Sequence, residues 1–113
     1  MTPVLIIEPH AELAAALEEV VASAWCTPLV RRHVASLSDL EVRPASIVLR
    51  VGHADVSGLR PDRPPVVAIA FSEEDIAEAE RLRYEVVLRA PSEVRRLCEV
   101  LRSLAVSPGP RAI

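Results

Sequence analysis

Apolar residues in this chain fall into short unbroken runs, and segments with helical spacing separate them. Val4-Leu5-Ile6-Ile7 is one run, stopped by Glu8 and Pro9. Ile47-Val48-Leu49-Arg50-Val51 is a second, and Val66-Val67-Ala68-Ile69-Ala70-Phe71 a third. Runs without polar alternation suit strands covered on both faces, as in a parallel sheet. Leu29-Val30-Arg31-Arg32-His33-Val34 carries charge and reads as an edge strand, with His33 at the surface. Tyr84-Glu85-Val86-Val87-Leu88 reads as a fifth strand.

Between the runs the period changes. From about Glu12 to Ala24, residues Leu13, Leu17, Val20, Val21 and Ala24 share one helical face. Ser36 to Val42 predicts a short helix, with Ser36 as N-cap and Asp39 three residues on. Ser72 caps a predicted helix from Glu73 to Leu82, whose first turn carries Glu73, Glu74 and Asp75. Ser92 caps a last helix with Val94, Leu97, Leu101 and Leu104 on its buried face. Residues 52–65 differ, because Gly52, Gly58, Pro61, Pro64 and Pro65 interrupt them and no stripe fits. They predict a loop with at most one turn near Ser57 to Arg60. Strands alternating with helices predict an α/β fold with a doubly wound parallel sheet. One domain is expected over residues 1–106, followed by a loose tail over 107–113.

Composition narrows the picture. At 113 residues with 50% hydrophobic content, the chain can bury one core. One Trp, one Tyr and one Phe mean that the core is aliphatic. Trp25 is expected to pack in the core or at its rim rather than stack on a ligand. Net charge is −3, with no basic tract to neutralise phosphates, so nucleic-acid binding is not expected. No apolar run reaches the roughly 20 residues of a membrane span, and no signal peptide is legible, so a cytoplasmic location is expected. Cys26 and Cys98 lack metal-ligand spacing and read as reduced, buried thiols; a disulfide needs Cα atoms within about 7 Å.

The order of these elements resembles the receiver domain of bacterial two-component response regulators, from Val4 to about Ala105. Four segments carry the likeness: Val4 to Pro9, Pro44 to Val51, Val56-Ser57-Gly58-Leu59, and Leu88-Arg89-Ala90-Pro91. The resemblance implies a flavodoxin-like five-stranded parallel sheet in the order 2-1-3-4-5. The helix between strands 3 and 4 is reduced or missing here, which leaves one sheet face for a partner or for the loop to cover.

In receivers, an aspartate ending the third strand accepts a phosphoryl group. An acidic pair after the first strand holds Mg²⁺, and a hydroxyl and a lysine hold the product's oxygens. Carried onto this chain, the nucleophile position is Arg50. The acidic pair is Glu8 and Pro9, the hydroxyl position Ala70, and the lysine position Ala90. No Asp or Glu lies between Glu41 and Asp55, so no register shift supplies a nucleophile. The likeness therefore implies the fold and argues against the reaction. Arg50 is expected either to neutralise Glu8 or to reach solvent.

These residues point to a phosphorylation-independent pseudo-receiver that acts on a protein partner in trans, without a cofactor. In receivers the fourth helix, fifth strand and fifth helix form the usual dimer face. Arg81, Arg83, Arg89, Arg95, Arg96 and Arg102 cluster there, for a homodimer or simply as a solvated surface. The alternative is a small metal- or ligand-binding domain using Glu8, His10, His53 and Asp55 on loops at the sheet's C-terminal edge. No nucleophile elbow, phosphate loop or dinucleotide fingerprint is present, so an enzyme is not expected.

Overall fold

In the computed structural model, which describes residues 2–32, 47–56 and 64–106, the three continuous apolar runs become the three central strands. They are β1 (Thr2–Ile7), β3 (Ile47–Val51) and β4 (Val66–Ala70). Edge strands β2 (Cys26–Arg31) and β5 (Val86–Arg89) complete one parallel sheet in the order β2-β1-β3-β4-β5. Every residue of β3 and β4 is buried, which explains their lack of polar alternation.

Alternation along the strands divides the core in two. Val4, Ile6, Ile47, Leu49, Val67, Ile69 and Leu88 point to one face. There they meet Leu17 and Val21 of α1 (Ala11–Ser23), and Leu97 and Leu101 of α3 (Leu97–Val106). Leu5, Ile7, Val48 and Val66 point to the other face, with Ala54 and the partly buried Val56 and Tyr84 packed on them. This second face is not left open: its four strand residues are at most 3% exposed. The loop after β3 packs down through Ala54 and Val56. Residues 52–56 and 64–65 contain no helix. The expected turn at Ser57 to Arg60 lies outside the described residues, as do His33, the helix at 36–42 and the tail at 107–113.

Several boundaries differ from the sequence reading. The first helix buries Ala14, Leu17, Val21 and Ala24, whereas Leu13 is 37% exposed. Small Ala14 lets α1 approach the sheet and rotates the stripe one residue away from Leu13. Strand β2 begins at Cys26, three residues before Leu29. Strand β5 begins at Val86 instead of Tyr84, because Arg83 at φ 57° turns the chain and the Tyr84 N–H bonds the Ala79 carbonyl. Ser72 caps α2 (Glu73–Arg81) as expected, its Oγ accepting from the Asp75 N–H at 3.2 Å.

Ser92 is not a cap. After the cis Ala90–Pro91 bond, a 3-10 turn over Val94–Arg96 leads into α3. Trp25 stands outside the core at 74% exposure. It holds φ 62° in the tight turn from α1 to β2, which directs its side chain outward. Cys26 is buried, Cys98 is half-buried, and both are free thiols. Burial first, and the neighbouring Cys98 second, push the Cys26 thiol upward.

Candidate functional site

The C-terminal edge of a parallel α/β sheet is where chain reversals leave crevices. Here the ends of β1, β3 and β4 frame a cleft of about 860 Å³. One wall is Glu8, Pro9, His10 and Leu13, between β1 and α1. The floor is Val51, Gly52 and Ala54, after β3. The opposite wall is Phe71, Ser72 and Asp75, where β4 enters α2. Arg32, His53 and Asp55 complete the lining. Gly52 sits at φ 58°, and a Cβ there would lie 3.3 Å from the Phe71 ring, so both the backbone and the space call for glycine.

Arg50 is the penultimate residue of β3, and its side chain turns away from this cleft. Alternation sends it to the face of Ile7 and Val48, and its register partner on β4 is the small Ala68. That space lets the guanidinium lie over the sheet, only 7% of the residue being exposed. Nε donates to the Ala54 carbonyl at 2.9 Å. Nη1 donates to a Glu78 carboxylate oxygen on α2 and reaches the Tyr84 hydroxyl at 3.4 Å. The Tyr84 ring centroid lies 5.9 Å from the guanidinium carbon. The expected Arg50–Glu8 pair is absent, and Arg50 does not reach out to solvent. Its counter-ion is Glu78.

Glu8 is buried and bonded locally. Its Oε1 accepts from the His10 N–H at 3.0 Å and lies 2.8 Å from His10 Nδ1. Pro9 is exposed. Across the cleft, Asp75 is 7% exposed and its Oδ2 accepts from the Phe71 N–H at 2.8 Å. His53 Nε2 lies 2.7 Å from Asp75 Oδ1, yet that oxygen accepts no well-directed hydrogen bond. The two histidines thus serve two different carboxylates. Glu8, His10, His53 and Asp55 all line this cleft. Among the described residues, no group of three or more His, Cys, Asp or Glu side chains is placed to hold a metal.

Ala70 and Ala90 adjoin one another at the ends of β4 and β5, the Ala90 N–H bonding the Ala70 carbonyl at 2.8 Å. Neither side chain can donate to an anion. The arginines of the last third are partly engaged within the chain. Arg81 lies 3.7 Å from Glu78, and Arg89 lies 3.3 Å from Glu73. Arg102 faces α1, donating to the Ser23 carbonyl at 3.1 Å. Arg83 follows α2, and Arg95 and Arg96 sit exposed in the 3-10 turn.

Sequence reasoning missed Glu78, Tyr84 and Asp75. A signal existed for the acids: Asp75, Glu78 and Ala79 share one side of α2, so two carboxylates occupy a stripe that should face the sheet. Polar residues at core-facing helix positions call for buried partners.

Comparison with solved structures agrees with the topology. The fold is similar to a CheY-like response-regulator receiver domain from Methylobacillus flagellatus, with TM-score 0.69 and 20% identity over 92% of this chain and 98% of that one. It is similar to a response-regulator receiver protein from Pseudoalteromonas atlantica, with TM-score 0.69 and 13% identity over 91% and 96% of the two chains. It is also similar to the non-phosphorylated HemR receiver domain from Leptospira biflexa, with TM-score 0.69 and 11% identity over 97% and 98%. No protein-family model and no curated protein matches the chain. The chain therefore has the receiver fold, with the expected strand order.

Proposed function

We propose that this chain is a receiver-fold signalling module that works without phosphorylation, by presenting one fixed conformation to a protein partner in trans. The observation that carries this reading is the part-buried ion pair between Arg50 and Glu78. By the resemblance in sequence, Arg50 takes the position of a receiver's phospho-accepting aspartate, and a guanidinium cannot form an acyl phosphate. The surrounding positions agree with this reading. Pro9 supplies no carboxylate, Ala70 no hydroxyl and Ala90 no ammonium. Phosphoryl transfer needs a nucleophile, a cation and donors around the transferred group, and this edge provides none of that set together.

A receiver moves between two arrangements when its charge changes. Here the corresponding charge is built in and already neutralised by α2. Arg50 joins β3 to α2 through Glu78 and to the segment between α2 and β5 through Tyr84. The surface formed by those elements is therefore held by a permanent contact.

Incubation with acetyl phosphate and Mg²⁺, followed by intact mass measurement, tests this reading. The expected result is no phosphoryl adduct. An adduct mapped to Glu8, Asp55 or Asp75 would overturn it.

A further inference from the structure

The cleft at the sheet's C-terminal edge contains two buried carboxylates. Glu8 and Asp75 lie on opposite walls, with side chains only 3% and 5% exposed. Each spends one oxygen on local backbone: Glu8 Oε1 on the His10 N–H, and Asp75 Oδ2 on the Phe71 N–H. The other oxygen of Asp75 is poorly served. Asp75 Oδ1 is enclosed and accepts no well-directed hydrogen bond, although His53 Nε2 lies 2.7 Å off. Buried carboxylates that lack donors carry a desolvation cost, which a matching donor relieves.

The neighbourhood defines that donor. Arg50 is committed to Glu78 on the other sheet face and adds no positive charge here. Among the described lining residues, Glu8, Asp55 and Asp75 face a single arginine, Arg32. The rest of the lining is largely apolar, and Leu13 and Phe71 are exposed at 37% and 58%. His10 and His53 cover the acids loosely, being 83% and 61% exposed in their side chains. An occupant therefore needs several N–H donors, a positive charge and an apolar stem.

We infer that this cleft receives an arginine side chain of the partner protein, its guanidinium set between Glu8 and Asp75 and its methylenes against Leu13 and Phe71. A planar guanidinium offers five donors in a fork and is weakly hydrated, which suits two buried carboxylates in a largely apolar crevice. The stem covers the exposed apolar side chains. The inference rests on the partner-binding reading above and names the partner's anchoring chemistry.

The test uses N-acetyl-L-arginine amide as probe, with backbone amide NMR shifts of the full chain as readout. Saturable shifts confined to His10, Gly52, His53, Phe71 and Ser72 are expected. Glu8→Gln and Asp75→Asn each keep an oxygen for the local N–H bond and remove the charge, and each should weaken the probe about tenfold, the loss of one charged contact. Matching urea midpoints show that both variants are folded. Overturning results are no saturable shift, an affinity in both variants equal to that of the unaltered chain, or saturation of the same amides by Mg²⁺ while the arginine probe is inert. Any of these leaves the absence of phosphorylation untouched, and a phosphoryl adduct would leave the probe's binding untouched.

Discussion

Arg50 and Glu78 are separated by 28 residues, yet their side chains form the contact that joins the third strand to the helix after the fourth. Their side-chain exposures are unequal, 8% for Arg50 and 30% for Glu78. Removing Arg50 leaves a half-covered acid, whereas removing Glu78 leaves a covered cation.

Arg50→Ala should cost about 2–4 kcal/mol, since it breaks a largely buried pair and also deletes the stem between Ile7 and Ala68. Glu78→Gln keeps a hydrogen-bond acceptor and should cost about half as much. Urea denaturation followed by far-UV circular dichroism reads both. A double-mutant cycle that shows no coupling between the two positions would refute the contact.

Gly52→Ala should cost about 1–2 kcal/mol, because a residue with a Cβ is forced into the left-handed region and crowds the Phe71 ring. Adding Phe71→Ala to that variant should recover the crowding component and leave the backbone component. Thermal melts of the three proteins separate the two.

Ser72→Ala should lower stability by about 1 kcal/mol through loss of the cap on the Asp75 N–H. The loss should concentrate in α2, so hydrogen exchange should accelerate at residues 75–79 before it changes in β1 or β3.

Cys26 gives a pH dependence of known sign. Burial raises its folded-state pKa above the ordinary thiol value of 9.0. Above that value the unfolded thiol loses its proton while the folded one retains it, so the folded state binds more protons and stability falls as pH rises. The contribution is complete below pH 9.0 and is lost as pH climbs through the raised folded value. The urea midpoint should drop between pH 8 and pH 10, and the drop should be smaller in Cys26→Ala. Equal drops would contradict the assignment.

The central strands were legible because burial on both faces leaves few polar residues to interrupt a run, Arg50 in β3 being the exception. Val4 to Ile7 and Val66 to Ala70 are examples, and α2 was legible from Ser72 and its acidic first turn. The edges were less so: β2 is half-buried and punctuated by Pro28, so its start at Cys26 carries no apolar signal. At the site, the residue types were legible but their pairing was not. Glu8 is the nearer acid to the sheet's edge, yet strand alternation and the small Ala68 direct Arg50 to Glu78, and neither effect is visible in local spacing. Likewise His53 pairs with Asp75 instead of its sequence neighbour Asp55, because the β4–α2 junction brings Asp75 under it.

Trp25, the single tryptophan, already stands in water in the native state, at the corner between α1 and β2 and so at the opposite end of the strands from Glu8 and Asp75. Its emission should shift little when the protein denatures, and a collisional quencher should reach the indole in both states. A ligand entering at Glu8 should leave that emission unchanged. A binding protein that blue-shifts it must therefore extend to the α1–β2 corner, which makes the intrinsic fluorophore a ruler for how far such a complex spreads.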